Sequence, residues 1–183
     1  MDIDKAIKDR RSIRKFTDDY IDDNTIKDLL EAARWAPSWA NTQAWEFIIV
    51  RDTGLIKEVV DTYSPKNPAT SGSLAASALI VACAKTGVSG CYNGKDATSI
   101  SNWFMFDLGL AVENLCLKAH SLGLGTVVVG LMDQKTCKQV LDVPDSHEVV
   151  AVIPVGIPQK TRPAPERKDL AAFVHLNKFG TQF

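Results

Sequence analysis

The sequence predicts one domain in which helices and short buried strands are mixed. Three observations carry that reading. Four apolar runs of strand length, at 45–50, 78–84, 126–129 and 149–155, are bounded by polar or turn-forming residues. Before and between them lie segments whose composition or apolar spacing is helical, at 26–33, 55–63 and 101–122. A length of 183 residues suffices for one full core, and no linker or internal repeat divides it.

Taken in order, residues 4–10 form a short helix. Asn24 is placed to cap a second one, where Ile26, Leu29, Leu30 and Ala33 recur at i, i+3, i+4 and i+7. Pro37 fixes its own backbone and pushes Ala36 away from helical geometry, so that helix ends before it. The run 45–50 is the first strand, and 55–63 is helical with Val59 and Val60 facing inward. Residues 64–73, SPKNPATSGS, are loop by composition, as is GVSGCYNGKD after the second strand. The longest helix runs over 101–122. Its Trp103, Phe106, Leu110, Leu117 and Leu122 spread apolar groups around most of the circumference. Such a helix is buried, either in the domain centre or at an oligomer interface. Gly123 ends it, 126–129 is the third strand, and Asp133 caps a further helix before the fourth strand at 149–155. From Ile157 the chain is Pro-rich and basic until a closing FVHL segment.

Composition excludes several functions. An apolar share of 45% with 23% charged residues is that of an ordinary soluble globular protein. A net charge of −1 gives no general attraction to nucleic acid or a membrane surface. No apolar run approaches the ~20 residues that span a bilayer, and the N-terminus does not resemble a signal peptide, so a cytoplasmic location is expected. Cys83, Cys91, Cys116 and Cys137 form no CxxC pair and have no His at metal-ligand spacing. Reduced, mostly buried thiols and no metal are expected.

Two tempting motifs fail. GLGTVVVG at 123–130 follows a helix and leads into a strand, the reverse of a dinucleotide-binding turn, and its spacing is not GxGxxG. SGCYNGKD puts Ser89 where a phosphate loop has its first Gly, and Asp96 where Ser or Thr should meet magnesium. His120, His147 and His175 have no obvious Ser, Cys or metal partner, and each is read as a surface or core-edge residue.

Two other stretches survive. Arg10-Arg11-Ser12-Ile13-Arg14 packs three guanidinium groups and a hydroxyl into five residues. Guanidinium forks match phosphate and carbonyl oxygens, which makes this a candidate anion anchor beside the alternative of a solvated basic helix end. A second basic group, Arg162, Arg167 and Lys168, lies near the far end of the chain. The other stretch is APSWANTQAWEF at 36–47, which mixes two tryptophans with Ser38, Asn41, Thr42 and Gln43. A buried helix would not carry so many hydrogen-bonding groups, and a solvated loop would not need the rings.

Together with FDLGLAVENLCLKAHSLGLGT at mid-chain and VGIPQKTRPAPERKDL near the end, these stretches resemble the nitroreductase family of flavoproteins in content, order and spacing. The resemblance covers nearly the whole chain. It implies an α+β fold, a mixed sheet flanked by helices, in an intertwined homodimer with FMN at the interface. NADH or NADPH would reduce the flavin, and electrons would pass to nitroaromatics, quinones or similar small acceptors. Carried over by motif, Arg10, Arg11, Ser12 and Arg14 would hold the phosphate, ribityl chain and pyrimidine edge. Pro37, Ser38, Trp39 and Asn41 would reach the flavin of the other subunit. Val129 and Gly130 would present backbone groups near N5, and Arg167 would return to the phosphate. A side chain at Gly130 could block a ring that hydride donors must approach.

Some positions depart from the family pattern. Ala44 stands where Pro is frequent, Trp39 where a second Ser is common, and Val129 where Glu is common. The 64–75 loop is expected to lack the Asn and Lys that some members aim at the ring, and no long insertion supplies a lid. The cofactor is therefore expected more firmly than any acceptor, and a flavin-binding or redox-sensing protein with little turnover is the alternative.

Overall fold

The computed structural model describes residues Met1–Phe183. In chain order its elements are α1 (Ile3–Asp9), α2 (Asp23–Arg34), β1 (Trp45–Val50), α3 (Thr53–Asp61), α4 (Thr70–Ala75), β2 (Ala78–Lys85), β3 (Cys91–Tyr92), β4 (Lys95–Asp96), α5 (Phe104–Ser121), β5 (Gly125–Thr126), α6 (Gln134–Val140) and β6 (His147–Gly156). Single 3-10 turns form at Trp39–Asn41 and Leu170–Ala172.

β2 is central because every residue but Lys85 is apolar and buried. The sheet runs β1-β2-β6-β5, and all of its ladders are antiparallel. Parallel pairing enters only at the Ser12–Thr126 bridge. Alternation along β2 then builds two cores. Ala78, Ile80, Ala82 and Ala84 face a layer from α2 and α5 that includes Leu29, Leu108 and Leu115. Leu79, Val81 and Cys83 face a second layer with Ile56 and Val59 of α3 and Cys137 of α6. Where Ala82 pairs with Ala151 but Cys83 with Val149, a bulge absorbs Val150 and keeps both faces of β6 apolar. This is an α+β sandwich: a sheet between two helical layers.

Several local expectations are corrected. The cap of α2 is Asp22, whose carboxylate accepts from the N–H groups of Asn24 (2.8 Å) and Thr25 (3.0 Å). Asp22 sits in extended backbone before the first turn, and Asn24 is already inside it. α5 begins at Phe104 rather than 101. The third strand shrinks to Gly125–Thr126, after which Val129 makes only a single bridge to Val152. The 64–73 segment is not all loop, because α4 starts at Thr70. Its small residues suit close packing rather than solvent, since Gly72 and Ser73 are buried. The 87–96 stretch folds into the β3–β4 hairpin, with Asn93 and Gly94 both at positive φ (50° and 72°). Asn-Gly is the turn that such φ values favour.

α5 buries Phe104, Leu108, Ala111, Leu115 and Ala119, yet leaves Met105 and Phe106 exposed. The tail beyond Ile157 is exposed almost throughout, with Phe179 at 94%. No helix is long and apolar enough to cross a membrane.

The four cysteines are free, and only Cys91 is not buried. Burial pushes the Cys137 thiol up to about 11 and the Cys83 thiol up to about 12. These groups are neutral when protonated, so the fold favours the protonated form. Their contribution is complete below the ordinary thiol value of 9.0 and is lost as pH rises through the folded values. Urea midpoints at about pH 8 and about pH 10.5 should therefore differ, with the alkaline midpoint lower.

Candidate functional site

The basic stretch is fixed by the edge of the sheet. Ile13 is buried, its N–H donates to the Thr126 carbonyl at 2.8 Å, and Ser12 pairs with Thr126. A Cβ on Gly125 would come within 2.8 Å of the Ile13 side chain, so glycine there permits the approach. On the other side, α4 touches the Arg14 backbone at Gly72, where any Cβ would collide with the Arg14 carbonyl group. Ser12 and Arg14 are left exposed.

They line a cleft of about 650 Å³ with Lys15, Pro68, Ser71, Lys160 and Arg162. Four of its side chains are cationic and none is acidic. A contiguous cleft of about 390 Å³, sharing Ile13 and Thr161 with the first, is lined by Asp9, Arg10, Arg11, His120, Ser121 and Thr126, so it carries one carboxylate among its cations. Arg10 Nε lies 3.4 Å from Glu113 Oε1 of α5. Arg11 is turned inward along the chain, its Nη1 donating to the carbonyls of Lys8 and Arg10, both at 2.6 Å. It thereby satisfies carbonyls left open at the end of α1.

The mixed polar and aromatic stretch forms a second wall. Ala40, Asn41 and Gln43 all adopt positive φ (44°, 56° and 48°). Three non-glycine residues in the left-handed region within four positions make a strained turn, which persists only where its surroundings over-determine it. The polar groups do this. Gln43 N–H donates to Ser38 Oγ at 3.0 Å, and Trp39 N–H donates to both carboxylate oxygens of Asp107 at 3.1 Å. Asp107 Oδ2 also accepts from Ser89 Oγ at 2.5 Å. The aromatic groups form the surface: the Trp39 ring lies 5.0 Å from Trp103 and 6.4 Å from Tyr92, centroid to centroid. Pro37, Ser38, Trp39, Trp103, Phe106 and Leu110 enclose about 220 Å³. Trp45, by contrast, opens β1 and packs against the core.

Val129 is buried, and its N–H and carbonyl both bond to Val152 at 2.9 Å, so its backbone is spoken for by the sheet. Gly130 is different. It is exposed, its carbonyl accepts from Met132 N–H and Gln134 Nε2, and a Cβ there would meet no atom within 4 Å. Arg167 is exposed and donates to the Pro165 carbonyl at 3.2 Å; Lys160 and Arg162 are the tail residues beside Arg14.

Sequence reasoning missed Asp107, Ser89, Lys15 and the Pro68–Ser71 wall. Asp107 had a signal: it stands on the buried face of α5, one turn after Phe104, where an apolar residue belongs. Against expectation the 64–75 loop does carry Lys66 and Asn67; Asn67 is buried and turned to the backbone, donating to the Leu131 carbonyl at 2.8 Å. His147 does have partners, Ser146 Oγ and Glu46 Oε1, each at 3.0 Å, but Glu46 is exposed. No group of three or more His, Cys, Asp or Glu side chains is gathered to hold a metal ion.

Comparison with known proteins bears on this arrangement. A family model described as the nitroreductase family matches residues 7–157. A protein of Archaeoglobus fulgidus, provisionally named an NADH dehydrogenase/NAD(P)H nitroreductase, is 33% identical over 171 residues, 90% of each chain. A 5,6-dimethylbenzimidazole synthase of Rhodospirillum rubrum is 28% identical over 92% of this chain and 87% of its own. Among solved structures, an FMN-dependent nitroreductase from Clostridium difficile superimposes with a TM-score of 0.78 at 25% identity, covering 95% of this chain and 98% of that one. With its sheet, its N-terminal arginine stretch and its aromatic turn all inside the matched region, the chain belongs to the nitroreductase family.

Proposed function

We propose that this protein is an FMN-dependent oxidoreductase that takes electrons from NADH or NADPH and passes them to nitroaromatics, quinones or similar small acceptors, working as a homodimer. One observation carries the reading. The basic cleft and the aromatic cleft have no residue in common, so one chain offers two half-sites. Two chains related by a two-fold axis would bring unlike halves together twice, giving two equivalent sites.

The residues fit the cofactor in kind. A phosphate suits the acid-free basic cleft, and clefts of these volumes lie in the range that holds ligands of this size. When bound, FMN supplies the hydride and electron transfer. Ser12 and Arg14 offer a hydroxyl and a guanidinium in the basic cleft, and Arg10, paired with Glu113, would reach the anion from the adjoining one. Arg11 would join them only after leaving the α1 carbonyls. Gly130 N–H is the free donor at this edge, since the Val129 N–H is engaged by Val152. Pro37, Ser38, Trp39 and Asn41 would face the flavin of the other subunit, with the tryptophan shielding it from water. No side-chain acid or base is required, because reduced acceptors take protons from solvent.

Arg10→Ala tests the anchor. Losing a charge-assisted contact should weaken FMN binding by roughly 1.5–3 kcal/mol, about ten- to a hundredfold. Folding should change little, because the half-exposed pair with Glu113 contributes at most about 1 kcal/mol. Unaltered affinity in a fluorescence titration would remove Arg10 from the site. NAD(P)H oxidation with a quinone or nitro compound separates an enzyme from a flavin carrier.

A further inference from the structure

Asp107 is a carboxylate in a place that chemistry disfavours. It is 2% exposed, inside the apolar face of α5, and its three hydrogen bonds come from neutral donors. A buried carboxylate without a cationic partner costs free energy unless it is well hydrogen-bonded. Here Trp39 N–H and Ser89 Oγ–H satisfy its oxygens.

The three groups tie together otherwise separate segments. Ser89 belongs to the loop after β2, and the neighbouring Gly90 (φ 76°) lies so close to Trp103 that no side chain would fit. Trp103 packs in turn on the Trp39 ring. The N–H that Asp107 holds opens the turn containing Ala40, Asn41 and Gln43 at positive φ. Released from that bond, a turn strained at three residues has little reason to keep its shape.

We propose that Asp107 is a positioning residue for the flavin site: it holds Trp39 and the strained 38–43 turn in the shape that meets the partner subunit's cofactor, and Ser89 orients its carboxylate. The assignment rests on the function proposed above. Asp107 acts through Trp39 and touches no substrate itself.

FMN titration of the full-length chain, followed by flavin fluorescence, tests it. Asp107→Ala should weaken FMN at least about tenfold, and the saturated variant should show a flavin absorption spectrum shifted from wild type. A purely structural loss would not move the spectrum of the saturated protein. Asp107→Asn should restore most of the affinity, because its amide oxygen still accepts from Trp39 N–H. Combined with Trp39→Ala, Asp107→Ala should cost less than it does alone, as expected for residues acting as one unit. If alanine at 107 prevents folding, Ser89→Ala decides, with an expected loss of roughly two- to tenfold. A wild-type chain that takes no FMN overturns the proposed function and this assignment with it. FMN binding and spectrum unchanged by Asp107→Ala, or affinity unchanged by Ser89→Ala where that variant decides, overturn the assignment alone.

Discussion

Gly72→Ala is expected to lower the melting temperature by up to about 10 °C and to weaken FMN retention with it. A Cβ at position 72 is driven into the Arg14 carbonyl, with the carbonyl carbon only 2.7 Å away. Both atoms are backbone, so no rotamer change relieves the contact. Either α4 backs away from the sheet or the 12–15 segment shifts, and overpacking of this kind costs roughly 1–3 kcal/mol. In a chain of this size each kcal/mol moves the midpoint by about 2–4 °C. The gain in helix propensity from alanine, roughly 0.5–1 kcal/mol, offsets part of it and leaves a net cost of up to about 2.5 kcal/mol. Gly130→Val is the matched control. Nothing lies within 4 Å of a Cβ there, so its melting temperature should match the parent. Its FMN occupancy should nevertheless fall, because the open space is the space assigned to the ring. Calorimetry and flavin absorbance on both variants measure the two quantities separately. A Gly72→Ala protein as stable as the parent would contradict the tight packing of α4 on Arg14, and a Gly130→Val protein with full occupancy would move the ring away from Gly130.

Removing the residues after Pro163 is expected to abolish the homodimer proposed above while leaving each chain folded. Neither core cluster contains a residue beyond Val155, so the sandwich does not depend on the tail. Backbone bonds from Thr17 to Ile157 and from Gln159 to Lys15 secure the chain up to that point and are retained. What is lost is an arm carrying Leu170, Phe173, Leu176, Phe179 and Phe183, all exposed within one chain. Five large apolar side chains on one exposed arm form an association surface. The exposed Met105 and Phe106 of α5 extend the apolar surface open to a partner. The shortened chain should run as a monomer with native far-ultraviolet circular dichroism and should lose FMN on gel filtration. A shortened chain that remains dimeric would place the interface elsewhere.

Much of the fold was visible in the sequence because period and burial agree. The run ALIVACA at 78–84 could only be a strand buried on both faces, and β2 is one. What stayed hidden was structure made by small or polar residues. α4 is built from Thr, Ser, Gly and Ala, and composition cannot distinguish such a helix from a loop until its packing partner is known. The stretches that line the candidate clefts stood out as motifs, but their geometry did not. RRSIR gave Ser12 and Arg14 a place together, yet Arg11 folds back to its own helix end, which local sequence does not specify. Asp107 lies 68 residues from Trp39, so the bond that explains the aromatic turn is a product of tertiary structure.

The central claim is that one flavin site is built from two chains. Size-exclusion chromatography with light scattering, run with and without FMN and combined with flavin absorbance, measures it most directly. The expected species is a dimer with about one FMN per chain, whose thermal stability rises with FMN concentration by mass action. A stable monomer holding stoichiometric FMN would contradict the claim, and with it the assignment of Ser38, Trp39 and Asn41 to a partner's cofactor.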